Sequence, residues 1–240
     1  MLPAMRFVVV ACISLIACHA EDWLQYTWDD RRILCSQSVD DLTQDSEWGT
    51  ARDQLRIARD NQTVALLHTH VPGVTVTIQG LEEFFQDVAA YDVDYVTYAE
   101  LVPTEQHRAG VALAFDDNAI EQWYGIRDLL RSYGARVTFF VSRFASRTDQ
   151  ERAWLAELAS DGHAIEAHGV NHINAEEFIP QFGVDQYLGE EALPSINVLQ
   201  EAGYTPTAFA YPFGRDNPET NAVLLRHVER LRVGPRPCPY

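Results

Sequence analysis

The chain contains no lysine: all 18 of its basic residues are arginine, set against 35 aspartates and glutamates. Schiff-base chemistry and a lysine general base are therefore excluded. A formal charge of -17, with no cluster of arginines anywhere along the chain, argues against a nucleic-acid partner, because phosphate contacts need a basic face. Also missing are G-x-S-x-G, Cys-x-x-Cys, a Walker loop and G-x-G-x-x-G, the usual marks of a serine esterase, a dithiol, a nucleotide hydrolase and a dinucleotide enzyme. No Gly/Ser-rich or Pro-rich linker and no repeat divides the 240 residues. With 47% hydrophobic and 22% charged residues, the chain can bury one full core of the size of an α/β barrel.

The start, MLPAMRFVVVACISLIACHAED, carries one arginine, then an apolar run too short to span a bilayer, then small residues, which is the pattern of an export signal. Within it, Leu15-Ile16-Ala17-Cys18 resembles the bacterial lipobox. The expectation is a signal peptide over 1–18, with Cys18 lipidated and holding an exported protein on the cell envelope, at the periplasmic or outer-membrane face. Ordinary cleavage after Ala20 is the alternative. A short segment, 19–31, would then lead into one domain over 32–240. Of four cysteines, only Cys35 and Cys238 lie in that domain; export permits them to pair, but two inert thiols are the simpler expectation.

From residue 32, short apolar runs alternate with helical patterns. The predicted strands are RILCSQSV, TVALLHTH, DYVTYAEL, VALAF, RVTFFVSR, AIEAHGV and TAFAYPFG; the interleaved helices end with NAVLLRHVERL. This rhythm predicts βα units and a (β/α) barrel of seven strands, with an open doubly wound sheet as the alternative. In a parallel barrel the active site lies at the C-terminal ends of the strands. The polar residues expected there are His68, His70, Asp116, Asp117, His168, His172 and the loop after Phe209.

The stretch VALAFDDN ends a buried-looking strand in two acids, Asp116 and Asp117, which is costly unless they are paired or bind a metal. His168 and His172, in H-x-x-x-H spacing, can aim both imidazoles at one point from a helical turn or a tight loop. Two histidines and a carboxylate form a common hydrolytic metal set with open positions for water and substrate. Either aspartate suits as third ligand, and the other then stands ready to accept a proton from water.

These residues resemble the polysaccharide deacetylases of NodB-homology type, carbohydrate esterase family 4. Ala114-Phe115-Asp116-Asp117 is similar to the family's T-F-D-D, His168 to His172 within DGHAIEAHGVNH to its H-S/T-x-x-H, GARVTFFVS to its A-T-F-F-V strand, and Ala210-Tyr211-Pro212-Phe213-Gly214 to its R-x-P-Y-G. The likeness covers roughly residues 110 to 215. No L-x-H follows Gly214; instead LLHTHVPG precedes the aspartates, as in circularly permuted members that include poly-N-acetylglucosamine deacetylases. The resemblance implies a distorted, circularly permuted (β/α)7-type barrel and a divalent metal, Zn2+ or else Co2+ or Ni2+, on Asp117, His168 and His172. It further implies Asp116 as base, His70 as the acid for the leaving amine with His68 as the alternative, and an oxyanion and substrate site at Tyr211, Pro212 and Phe213, where the Phe213 amide would serve. The substrate implied is an N-acetylated polysaccharide or peptidoglycan. Three positions depart from the pattern: Ala114 for a hydroxyl residue, Gly169 for the Ser/Thr that steadies the histidine loop, and Ala210 for an arginine that orients the base, where Arg215 offers a substitute.

Other polar and aromatic residues read more plainly. His163 is expected to be structural and His107 and His227 to lie on the surface; Asp40 and Asp41 also end an apolar strand and could face the same mouth, but a solvated loop is the simpler expectation. Trp123, Tyr124 and Tyr187 are core by spacing rather than sugar-stacking residues. The competing function is a carbohydrate-binding lipoprotein that keeps the metal but turns over weakly; Asp116 favours the enzyme, since a binder has no use for a base beside a ligand.

Overall fold

The structure, a computed structural model, describes residues 22–40 and 45–234. The expected signal segment with Cys18, and also Asp41 and Cys238, lie outside these residues. In chain order the elements are β1 (Gln25–Tyr26), β2 (Ile33–Cys35), β3 (Gln37–Ser38), α1 (Asp45–Asn61), β4 (Val64–Thr69), α2 (Ile78–Tyr91), β5 (Asp94–Tyr95), β6 (Gly110–Asp117), α3 (Ile120–Gly125), α4 (Arg127–Ser132), β7 (Thr138–Val141) and α5 (Asp149–Ser160). There follow β8 (Ala164–Ala167), α6 (Ala175–Phe182), α7 (Val184–Tyr187), a π-helical turn (Leu188–Ala192), α8 (Leu193–Glu201), β9 (Ala208–Ala210), α9 (Pro218–Leu224) and β10 (Arg230–Val233).

Strands β4, β6, β7, β8, β9, β10 and β2 run side by side and parallel. Only Ser36 separates β2 from β3, and β3 pairs with β4 at Gln37↔Leu67 and Ser38↔His68. Residues 33–38 thus touch both ends of the row and nearly close it into a seven-staved barrel, as the strand rhythm predicts. Antiparallel β1 pairs with the first half of β4, so the segment expected as a mere leader contributes to the sheet, with Tyr26 and Trp28 buried.

Period-2 alternation sorts the strand residues into two cores. Leu67, Leu113, Phe115, Ile165 and Leu231 face the helices. Leu34, Leu66, Ala112, Ala114, Phe140 and Ala210 fill the barrel interior with Tyr26 and Trp28. Continued one step toward the C-terminal ends, the same alternation carries His68 and Asp116 onto the interior face above this plug, which is where a parallel barrel keeps its chemistry.

Two predicted elements differ. DYVTYAEL forms only the two-residue β5 and then a 3-10 turn, and the seventh stave is instead β10, which begins in the last two residues of the expected helix NAVLLRHVERL and runs past its end. Arg230 and Arg232 make that strand look like a charged helix face. In the barrel both are buried, because Arg230 stacks 5.9 Å from the Tyr26 ring centroid and Arg232 meets the Asp116 carboxylate. Cys35 is disulfide-bonded rather than an inert thiol. No helix among the described residues is long and apolar enough to cross a membrane.

Gly214 closes the loop after β9 at φ +63, and a Cβ there would stand 2.4 Å from the backbone N and Cα of Gly234. Gly214→Ala should destabilise the protein by about 1–3 kcal/mol in urea unfolding. Gly203→Ala, at φ +92 but in open space, should cost clearly less; equal losses would show that the close approach to Gly234 is unimportant.

Candidate functional site

Two strand ends build the first group. Asp117 terminates β6 at φ +85, an unusual conformation for a residue with a side chain. His168 follows β8 directly, Gly169 turns the chain at φ +84, and His172 sits at φ +64, so the H-x-x-x-H spacing is realised in a tight loop. Asp117 Oδ1 lies 2.9 Å from His172 Nε2 and 3.5 Å from His168 Nε2. His168 Nδ1 stands 2.8 Å from the Ala210 carbonyl; donating its proton there leaves the Nε2 lone pair facing Asp117. Although Asp117 Oδ1 is buried, it has no aligned hydrogen-bond donor. An orphaned carboxylate oxygen and two imidazole nitrogens, all within 4.8 Å of one another, suit a divalent cation.

A second group faces the first. His68, His70 and Asp116 also bring ligand-type atoms within 4.8 Å of one another. His68 is buried, with Nδ1 2.8 Å from Ser36 Oγ, and burial together with the Arg232 charge pushes its pKa down to about 3, so it is neutral near pH 7. His70 Nδ1 donates to Asp40 Oδ2. Asp40 also accepts from Thr69 Oγ1 at 2.7 Å, Thr75 Oγ1 at 2.6 Å and the His70 amide at 3.2 Å. This corrects the expectation of a solvated loop: Asp40 precedes its histidine by thirty positions, and only the pairing of β3 with β4 brings them together. Burial would lower the His70 pKa; the hydrogen bond to Asp40 and the charges of Asp116, Asp40 and Asp117 outweigh it and raise it.

Asp116, only 2% exposed, pairs through Oδ2 with Arg232 while Oδ1 has no partner. Arg232 is the register neighbour of Ala210 on the adjacent strand, so the guanidinium absent from position 210 arrives from β10, not from Arg215. Burial opposes ionisation of Asp116, but Arg232 and the surrounding histidines keep its pKa below the usual value. With Arg232 already on Asp116, a cation in this second group would stand beside a buried positive charge. The arrangement suits proton transfer better than metal binding.

Phe213 marks the rim, 62% exposed at φ +60, its ring 4.6 Å from that of His172. Both groups and Phe213 line one cleft of about 300 Å³. Tyr211 and Pro212, expected to touch substrate, are buried outside its lining; the Tyr211 hydroxyl is 2.7 Å from Thr220 Oγ1 and supports the loop instead. Trp123 and Tyr187 are buried as core residues, and Tyr124 donates to Glu157 at 2.8 Å. His163 accepts from the Val137 amide at 3.1 Å, a structural role, and His107 and His227 are exposed.

The family model described as polysaccharide deacetylase matches residues 104–228, more than half of the chain. The chain belongs to the polysaccharide deacetylase family, whose members are hydrolases of carbon–nitrogen bonds other than peptide bonds. YxkH of Bacillus subtilis (strain 168), which is named as a polysaccharide deacetylase, is 25% identical over 112 residues, covering 46% of this chain and 39% of that one, so the chain spans about two fifths of that relative. IcaB from Ammonifex degensii shares the fold, with a TM-score of 0.55 at 18% identity over 70% of this chain and 82% of its own. The deacetylase PplD of Streptococcus pyogenes overlaps more loosely, with a TM-score of 0.43 at 19% identity over 78% of this chain and 80% of its own. The matched span holds Asp116, Asp117, His168 and His172; Asp40, His70 and Arg232 lie outside it.

Arg232→Gln strands the buried Asp116 carboxylate and should cost about 3–5 kcal/mol in urea unfolding at pH 7. A depressed carboxyl pKa stabilises the fold above the unfolded value of about 3.9 and loses that contribution as pH falls through the folded one. The difference between wild type and variant should therefore shrink below about pH 4. A pH-independent difference would show that Arg232 stabilises by packing alone.

Proposed function

We propose that the protein is a metal-dependent deacetylase that hydrolyses the N-acetyl amide of an N-acetylglucosamine-containing polysaccharide or peptidoglycan. The observation that supports this reading is that six side chains line one cleft in two groups of ligand-type atoms, Asp117, His168 and His172 in one and Asp116, His70 and His68 in the other, with Arg232 already on Asp116. The ligand group would hold the ion, Zn2+ or else Co2+ or Ni2+, which supplies Lewis acidity toward the acetyl carbonyl and makes water acidic. Asp116 accepts the proton of the attacking water at Oδ1, the oxygen that Arg232 leaves free. His70, its Nδ1 proton held by Asp40, donates from Nε2 to the departing amine nitrogen. His68, neutral and tied to Ser36, lies beside His70 as a fixed wall of the cleft. At the opposite rim, the Phe213 amide is the donor for the developing oxyanion.

The export pattern in residues 1–18, with Cys18 as the lipid-bearing first residue of the mature chain, fits an enzyme whose polymer lies outside the cytoplasm. In this reading the catalytic domain takes in the barrel from β1 onward.

Release of acetate from N-acetylglucosamine oligomers and from peptidoglycan, assayed with Zn2+-loaded protein, tests the reading directly. Asp117→Ala should lose metal affinity, whereas Asp116→Asn should keep the metal and lose about 10²-fold or more in turnover. Equal loss of metal from both would defeat the division of roles. A second expectation concerns pH. Asp40 favours protonated His70, so Asp40→Asn should lower the His70 pKa and move the alkaline limb of the kcat/KM profile to lower pH. An unmoved limb would mean that His70 is not the acid.

A further inference from the structure

The loop that carries both imidazoles lacks its expected support. Position 169 is glycine where the family pattern has a hydroxyl residue, and His172 holds a positive φ without being glycine. Glu191, in the π-helical turn between α7 and α8, is completely buried against this loop. Its Oε2 accepts from the Asn171 amide at 2.7 Å, its Oε1 from the Ile173 amide at 2.8 Å, and its backbone carbonyl from the Val170 amide at 3.1 Å. The two carboxylate bonds therefore bracket His172. A Cβ at position 169 would stand 2.1 Å from Glu191 Oε1, so a side chain there and this carboxylate exclude each other.

From these contacts we infer that Glu191 is a positioning residue for the metal site: it takes over the loop-steadying role of the missing hydroxyl and fixes His172 in its ligating conformation. The inference rests on the metal-binding reading of Asp117, His168 and His172. A buried carboxylate on two backbone amides forms charge-assisted bonds, stronger than those a hydroxyl supplies. Glu191 projects from a π-helical turn, a feature found frequently at functional sites. Gly169 and Glu191 then form one device, and neither is replaceable alone.

The test is Zn2+ affinity by chelator competition, together with the visible spectrum of the Co2+-substituted protein, for wild type, Glu191→Gln and Glu191→Ala. Glu191→Gln keeps the volume but turns an amide donor toward a backbone donor, and should weaken Zn2+ binding by about 10–100-fold with an altered Co2+ spectrum. Glu191→Ala removes both acceptors and should weaken Zn2+ binding at least as much. Wild-type affinity and an unchanged spectrum in Glu191→Gln would overturn the inference while leaving the metal site standing. So would wild-type affinity in Glu191→Ala, which stays decisive if Glu191→Gln folds poorly. Wild-type protein that binds neither Zn2+ nor Co2+ would overturn the metal site itself, and the inference with it.

Discussion

The site depends on an ion pair at the mouth of the barrel. β6 runs its apolar residues up the interior and then places Asp116 among them at 2% exposure, a position where an uncompensated carboxylate would cost several kcal/mol. Arg232 offsets that cost, and it does so from β10, a strand held in the ring by β9 on one side and β2 on the other. The short stretch 33–38 then spans from β10 to β4, which carries His68 toward the same mouth and leads directly into His70. Barrel closure and the charge balance of the acid pair are therefore one problem with one solution.

This dependence also explains which parts could be read from the sequence. The strand-then-acid pattern of VALAFDDN, the H-x-x-x-H pair and the histidines of TVALLHTH are local signals, and the structure brings all of them to one cleft. Arg232 was hidden because RLRV alternates arginine with apolar residues, a pattern that fits a solvated helix end as well as a strand whose arginines point into an acidic lumen. Glu191 was hidden for another reason, since it acts on backbone amides far away in sequence and nothing in its own neighbourhood marks it; Asp40 ends an apolar strand, but its partner His70 lies thirty positions on, and a solvated loop fits the same local pattern. The ligand-type side chains of the cleft were legible from spacing and motif, and those that hold them in place were not.

Backbone conformation points to the same place. Asp117, His172 and Phe213 all have positive φ without being glycine, and each belongs to a different loop of the cleft. Such conformations cost of order 1–3 kcal/mol each and persist where surrounding contacts fix them. Those contacts are visible for the histidine loop, where Glu191 brackets His172, and for the loop after β9, where Tyr211 is anchored on Thr220 and Gly214 lies against Gly234. Two of the three loops that line the cleft are thus held by contacts within the chain itself.

Two similar clusters of ligand-type side chains line one cleft, and we propose that one binds metal while the other moves protons. Anomalous X-ray diffraction at the zinc edge, from crystals of the Zn2+-loaded protein, separates the two. One ion should lie about 2.0–2.2 Å from Asp117, His168 and His172, and none among His68, His70 and Asp116 beside Arg232. An ion in the second cluster, or none in the first, would contradict the proposal.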